Sequence, residues 1–382
     1  MEIIFWISTL LIFHTFIGYP ITLTLIRKLS KKDTIKIDEK YRPNVSIIIP
    51  AHNEECVIEN KLKNLFQLEY DRNKFEIIVA SDNSTDSTNT IVKNFIEKNN
   101  KVKVSLYEVK ERKGKTNAQN EAVKVATGDI IVFSDANSML KSDSINELVK
   151  YFVDDKVAYV SGKLIYTNGN ITESSNAEDS YWNYDLMMRE YESEISSITA
   201  GNGAIYAIRK LDYIDLDPVL CHDSMMPIKS VVNGKKAKYS KSAIAYEKAG
   251  ETSEDEFKRK VRMARKNLYI CYSDLSKYNP FKCGWFSYFY FCHRYLRNSL
   301  WVLHLMFLLS NLLIINKSNI YLMAFLGQCM FYIFAIVGIR MKNKIFFIMY
   351  YYSMTMIAQA KGAINEITGK SKPFWEKAES TR

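Results

Sequence analysis

Three short runs of apolar, mostly β-branched residues early in the chain each stop at a cluster of acids and amides. Val45-Ser46-Ile47-Ile48-Ile49 leads into Pro50-Ala51-His52-Asn53-Glu54-Glu55, and Phe75-Glu76-Ile77-Ile78-Val79 into Ser81-Asp82-Asn83-Ser84. Asp129-Ile130-Ile131-Val132-Phe133 leads into Ser134-Asp135-Ala136-Asn137. Runs of this length bounded by turn formers predict strands buried on both faces. In an open parallel sheet the ligand crevice lies beyond the carboxyl ends of the strands. Carboxylates gathered along that edge point to a metal ion and a polar, phosphate-bearing ligand.

Between these runs the pattern alternates. Apolar residues recur at helical spacing over 54–66 and 86–96, a further strand is predicted over 102–109, and a helix over 115–126 ends at Gly128 in the C-cap position. Another helix over 142–152 precedes a strand over 157–162. Strand–helix alternation of this kind implies an α/β, doubly wound layer with a mostly parallel sheet. The first strand is followed by neither GxGxxG nor GxxxxGK[ST], which argues against dinucleotide enzymes and P-loop NTPases.

The chain has 382 residues, 47% of them apolar, and the apolar excess lies at the two ends. Residues 3–26 are long enough to span a bilayer. No basic residue precedes them and no small-x-small cleavage site follows. Arg27-Lys28-Leu29-Ser30-Lys31-Lys32 stops the run, so an uncleaved anchor with a cytoplasmic C-terminal end is expected. Three further apolar segments cover 300–315, 320–339 and 345–360. Ahead of them, Trp285 to Phe291 with His293, Arg294 and Arg297 reads as an interfacial helix, its aromatics at headgroup depth and its cations on lipid phosphates. The expected organisation is an anchor over 1–27, a catalytic domain over 42–282, membrane-associated helices over 283–364 and a basic tail over 365–382. Whether the last apolar segment crosses or lies at the interface stays open, because a third crossing would put Lys370-Ser371-Lys372 outside. The net charge of +10 gathers near the membrane segments, a distribution that suits an anionic lipid surface better than nucleic acid. Six scattered cysteines without metal spacing fit a reducing compartment.

VSIIIPAHNEE, SDNSTD, GKTNAQNEAV, GDIIVFSDANS, GNGAIYAIRK, HDSMMPIKSVVNGKKAKY and RKVRMARKN follow one another in the order found in family 2 glycosyltransferases. The ordered set resembles that family across essentially the whole chain, ending with Phe374-Trp375-Glu376-Lys377. The resemblance implies a GT-A fold, membrane association, a nucleotide-sugar donor and transfer with inversion.

It also implies roles for particular residues. Asp135 and Asn137 occupy the DxD position for Mg²⁺ or Mn²⁺, with an amide where the second acid usually stands. At i and i+2 past a strand both can face one cation, although an Asp/Asn turn is common in its own right. Asp82 stands where the family's aspartate meets the base, usually uracil. Asp86 reads as a helix cap. His52, Asn53 and Glu54 stand at the family's nucleotide loop, with an exposed loop histidine or a helix cap as the plain alternative. Lys115, in Lys113-Gly114-Lys115 at the opening of a helix, suits a diphosphate, with solvated loop lysines as the plain alternative, and Asp135 is counted with it in the expected nucleotide site. Asp223 corresponds to the general base, with His222 in place of the usual Glu, and a cap on the helix over 224–232 is the plain alternative for Asp223. Arg259 and Arg262 share one helix face in RKVRM, which stands for QxxRW, and would clamp the leaving diphosphate. Gly201, in Gly201-Asn202-Gly203, would shape the acceptor loop.

The reading that follows is a membrane-bound inverting glycosyltransferase. It would move a sugar from a nucleotide diphosphate, UDP by expectation, to a lipid-linked saccharide or growing cell-surface polysaccharide, with membrane lipids as partners and no nucleic acid. The alternatives are a polyprenyl-phosphate monosaccharide transferase, a processive synthase that also conducts its product, and an inactive membrane scaffold of the same descent.

Overall fold

The computed structural model describes residues 1–168, 173–248, 253–340 and 343–374, with backbone alone for 173–183 and 344. Met341-Lys342 and Trp375-Glu376-Lys377 lie outside the described residues.

An eight-stranded mixed sheet runs in the order β3-β2-β1-β4-β7-β6-β8-β5. The strands are β1 (Val45–Ala51), β2 (Phe75–Ser81), β3 (Lys103–Glu108), β4 (Ile130–Phe133), β5 (Met139–Leu140), β6 (Val157–Tyr166), β7 (Tyr206–Arg209) and β8 (Lys236–Glu247). β3, β2, β1 and β4 are parallel, whereas β7 pairs antiparallel with both β4 and β6. The three opening runs become β1, β2 and β4, and every residue in those strands is buried. Alternate residues serve opposite faces. Ile47, Ile49, Ile77, Val79, Ile130 and Val132 enter one core cluster, and Ile48, Ile78, Ile131 and Phe133 enter the other.

The helices after β1 and β2 begin later than the sequence implies, at Ile58 and Thr88, because the acid-rich stretches before them turn back over the sheet edge. Helix Lys115–Val125 is not capped by Gly128. That glycine instead lets the chain pass Ser46, whose backbone N would be 2.5 Å from any Cβ placed there.

Among the described residues three helices are long and apolar enough to cross a membrane: Glu2–Leu29, Leu300–Lys317 and Asn319–Val337. The helix Lys344–Ile367 packs along the catalytic domain. Tyr351 donates to Glu256 at 3.2 Å, and a Cβ at Gly362 would lie 2.6 Å from that of Ala264. The reading of Trp285 to Phe291 as an interfacial helix with its aromatics at headgroup depth is corrected for three of them, while Trp285 and Phe291 are exposed. Phe286, Phe289 and Tyr290 are buried in the protein core, and His293 and Arg297 pair with carboxylates of helix Glu173–Ile195 instead of lipid phosphates.

Candidate active site

The loops after β1 and β2 are tied to each other before they can meet any ligand. Asn53 has a φ of 54°, a left-handed conformation that asparagine tolerates. Its Oδ1 accepts from Thr85 N at 2.8 Å, and its own N–H donates to Ser84 Oγ at 3.2 Å. His52 Nδ1 lies 2.8 Å from the carbonyl oxygen of Asp82, and Glu54 N–H donates to Thr88 Oγ1 at 2.7 Å. Asp86 stands one residue before Ser87, the N-cap of the next helix, and so is not the cap expected, although its carboxylate accepts from Thr88 N at 3.0 Å. Asp82 is buried, and its two oxygens accept from Lys113 N (3.0 Å) and Gly114 N (2.8 Å). This holds the loop that launches helix Lys115–Val125. Gly114 (φ 95°) is needed twice, for its backbone conformation and because Pro373 O occupies the space a Cβ would take.

That helix aims Lys115 at the end of β4, where its ammonium pairs with Asp135. Burial opposes the charge on Lys115, and the carboxylate of Asp135 holds its pKa up. Gly203 seals this pair from one side, for a Cβ there would stand 2.9 Å from Lys115 Nζ and 3.2 Å from Asp135 Oδ2. Asn137 is partly exposed on the same turn. Asp223 sits in the first turn of helix His222–Val232. Burial raises its pKa, Lys115 and Arg189 pull it down, and Asp135 adds to the rise. The Asp135 charge raises the Asp223 pKa, and the Asp135 side chain is only partly buried, so this edge fits a divalent cation. Among the described residues no group of three or more His, Cys, Asp or Glu gathers as a self-sufficient metal cage. Asp135 and Asn137 are the residues that would hold such an ion, its shell completed by phosphates and water.

One expectation for the acceptor contacts is corrected. His222 is 2% exposed and its ring turns into the core. Nδ1 lies 3.2 Å from Tyr206 OH, and Nε2 lies 3.1 Å from Asn120 Oδ1 and 3.2 Å from Tyr213 OH. Burial, helped by the charge of Lys115, pushes its pKa down to about 3, so the ring is neutral. It supports the helix that carries Asp223 and does not face an acceptor. Arg259 gives Nε and Nη2 to Glu256 at 2.7 and 3.0 Å. Arg262 is the guanidinium that senses Asp135. Burial and Arg259 lower its pKa to about 10, while Cys221 and Asp135 act to raise it.

Several residues escaped the sequence reading. Lys61 is fully buried beneath the Asp135 turn, donating to Ser134 Oγ at 2.7 Å and to the carbonyl of Ser138. Its signal was present, since Lys61 falls in the apolar stripe Ile58, Leu62, Leu65 where a lysine has no packing reason to be. Arg265 clamps the carbonyls of Lys372 (3.1 Å) and Pro373 (3.0 Å), and Arg112 lies over the Phe374 ring at 4.8 Å. The C-terminal segment is thereby fastened across the Gly114 loop.

Comparison with known proteins bears on this arrangement. The profile described as "Glycosyl transferase family 2" matches residues 46–213, and that of "Glycosyl transferase family group 2" matches residues 130–338. A probable glycosyltransferase YdaM of Bacillus subtilis (strain 168) is 30% identical over 287 residues, covering 72% of this chain and 67% of its own. A poly-beta-1,6-N-acetyl-D-glucosamine synthase of Staphylococcus aureus (strain MSSA476) is 25% identical, covering 62% of this chain and 57% of its own. A beta-monoglucosyldiacylglycerol synthase of Nostoc sp. (strain PCC 7120) is 30% identical over 44% of this chain and 37% of its own. Among solved structures, the mannosyltransferase PcManGT from Pyrobaculum calidifontis, in complex with GDP-Man and Mn²⁺, superposes with a TM-score of 0.73 at 22% identity, covering 96% of this chain and 99% of that one. With an Asp135–Lys115 pair at the carboxyl edge of the sheet and a partly buried Asp223 near it, the chain belongs to the family 2 glycosyltransferases and has a GT-A fold.

Proposed function

We propose that this glycosyltransferase takes its sugar from a nucleotide diphosphate, UDP by preference, and passes it with inversion to a membrane-held acceptor. The observation that carries the reading is the convergence of Lys115, Asp135, Asp223 and Arg262 at one end of β4. Asp223, held partly out of water, removes the proton of the acceptor hydroxyl. The oxygen then bonds to the anomeric carbon on the face opposite the diphosphate, and the bond from that carbon to the phosphate oxygen breaks. The electron pair leaves with the diphosphate, whose charge Lys115 and Arg262 offset. Mg²⁺ or Mn²⁺ held by Asp135 and Asn137 would supply further neutralisation of the donor phosphates.

The acceptor class, a lipid-linked saccharide or growing polysaccharide, draws support from the lipid and polysaccharide synthases among the relatives. Two ion pairs support the topology. Glu2 meets Lys317 at 2.8 Å at one end of the helical bundle, while Arg27 meets Glu194 of the catalytic domain at 2.9 Å at the other. With three crossings, the catalytic domain and the segment 370–374 share the cytoplasmic side, and helix Lys344–Ile367 lies at the interface. The test is a titration of the purified chain with UDP- and GDP-sugars, with and without Mn²⁺. Saturable, Mn²⁺-dependent binding of one of them is expected. No binding and no release of nucleotide from any would overturn the assignment.

A further inference from the structure

A second set of charges lies buried on the membrane side of the domain, and donor chemistry makes no use of it. Helix Glu173–Ile195 presents Asp185, Arg189 and Glu192 at i, i+4 and i+7, on one face. Opposite them stand His293 and Arg297, from the helical stretch that begins at Trp285, and Tyr19 from the N-terminal helix. All six are buried. His293 Nδ1 lies 2.6 Å from Glu192 Oε1, and its Nε2 lies 2.9 Å from Asp185 Oδ1. Arg297 Nη1 meets the same Asp185 oxygen at 2.9 Å, Arg189 Nε meets the other at 2.6 Å, and Tyr19 OH donates to Glu192 at 2.6 Å.

The network does not end among itself. Arg189 Nη1 donates to the carbonyl of Gly201 at 2.7 Å, and Gly201 N–H donates to the carbonyl of Asp223 at 2.8 Å. Glu192 accepts from Thr199 N and Oγ1, both at 3.3 Å, two residues before that glycine. Two short steps therefore join the buried charges to the backbone of the residue proposed as the base. Gly201 has no room for a side chain, because a Cβ would overlap Tyr159 OH, so the loop has little freedom to reach Asp223 by another route. Burying ions carries a desolvation cost that pairing must offset, and an apolar seam of the same volume holds helices together as well or better. What an ionic seam adds is one fixed geometry.

We infer that Arg189 is a positioning residue for sugar transfer: gripped by Asp185, it fixes Gly201 and through it Asp223, and the His293 bridge ties that alignment to the seating of the membrane-side helices. This deepens the transferase reading and rests on it. The charge of Arg189 also acts on Asp223 directly, pulling its carboxyl pKa down against burial. The charged and titratable groups around Asp223 are Lys115, Asp135 and Arg189, with the phenols of Tyr159 and Tyr206 also sensing its charge. Among the described residues that act on Asp223, Arg189 is the one from helix Glu173–Ile195.

The test uses the full chain in lipid nanodiscs, with UDP plus Mn²⁺ as the binding probe and UDP-glucose, UDP-N-acetylglucosamine and GDP-mannose as donors, following nucleotide release. Arg189→Met is expected to bind UDP·Mn²⁺ as the wild type does, to keep its donor KM and to lose about tenfold to 100-fold in kcat, the scale of a small misplacement of a reacting group. The acid limb of its kcat–pH profile is expected to move to higher pH, because Asp223 has lost a cation. Arg189→Lys retains charge but not the fork that reaches Asp185 and Gly201 together. It is expected to keep the acid limb and recover only part of kcat, which tests the inference even where Arg189→Met folds poorly. His293→Gln is expected to lower kcat, and its loss should not add to that of Arg189→Met. Wild-type kcat and acid limb in Arg189→Met, or a change in donor KM alone, would overturn the inference. A wild type that binds no nucleotide would overturn the transferase reading instead, and that is measured before any variant is compared.

Discussion

Asp223 pits stability against chemistry at a single side chain. Its pKa is raised chiefly by burial, so folding favours the protonated form. Above the unfolded-state pKa the fold therefore bears the cost of an ionised, partly desolvated carboxylate, and that cost disappears as pH falls through the folded value. Asp223→Asn removes the charge while keeping the shape. Its melting temperature at neutral pH is expected to exceed that of the wild type, while transfer falls by about 10²- to 10⁴-fold, the usual contribution of a general base. UDP·Mn²⁺ binding should persist. A variant that is less stable, or that turns over normally, would contradict the assignment. Gly114 offers a second residue-scale test. Alanine there must adopt a φ of 95° and push against the Pro373 carbonyl, so Gly114→Ala is expected to disturb the two amide bonds to Asp82. A rise in donor KM with little change in kcat, measured by nucleotide release, is the expected signature.

At the scale of elements, helix Ile58–Leu65 does more than cover the sheet. Through Lys61 it props the turn that carries Asp135. Burial pulls the Lys61 pKa down to about 7, against the pull of Asp135 and Glu247. The folded state then binds fewer protons than the unfolded chain between about pH 7 and the ordinary lysine range, so this group lets stability rise with pH across that window. Lys61→Met removes the dependence, and the difference in melting temperature between variant and wild type is expected to change steadily from pH 7 to pH 10. A constant offset would mean that Lys61 titrates elsewhere. The strands beneath this helix were legible because β1, β2 and β4 are buried on both sides and leave a continuous apolar run. β8 was missed although Ala237, Tyr239, Ala243 and Ala245 are all buried, because serines and lysines interrupt the alternation. Asp135, Asp223 and Lys115 could be picked out by order along the chain. The Asp185–His293 and Arg189–Gly201 links could not. They join helices and loops whose partners have no local periodicity in common, and nothing in the sequence near His293 distinguishes a buried imidazole from one at a lipid surface.

For the whole molecule, the fastened tail bears on the membrane arrangement proposed above. Arg265 and Arg112 fasten Lys372, Pro373 and Phe374 over the loop that holds Asp82. That contact is possible only if the chain after Ile367 lies on the same side of the bilayer as the catalytic domain. Three crossings by Glu2–Leu29, Leu300–Lys317 and Asn319–Val337 satisfy this condition, and a fourth by Lys344–Ile367 breaks it. The composition of that last helix points the same way, because Lys361 lies over the Phe257 ring at 5.4 Å and Glu366 accepts from Leu268 N and Tyr269 N at 2.9 and 2.7 Å. Burying these charged groups in hydrocarbon would cost more than seating them at the domain surface. Labelling with a membrane-impermeant maleimide distinguishes the two arrangements. Ser318→Cys, in the turn beside Lys317, is expected to react in intact cells, whereas Lys370→Cys is expected to react only after permeabilisation. Cys56, exposed on the catalytic domain, supplies an internal control within the same chain, since it must behave as Lys370→Cys does. Labelling of Lys370→Cys from outside would place the tail across the bilayer from Gly114, and the fastening by Arg265 could then not exist in the membrane.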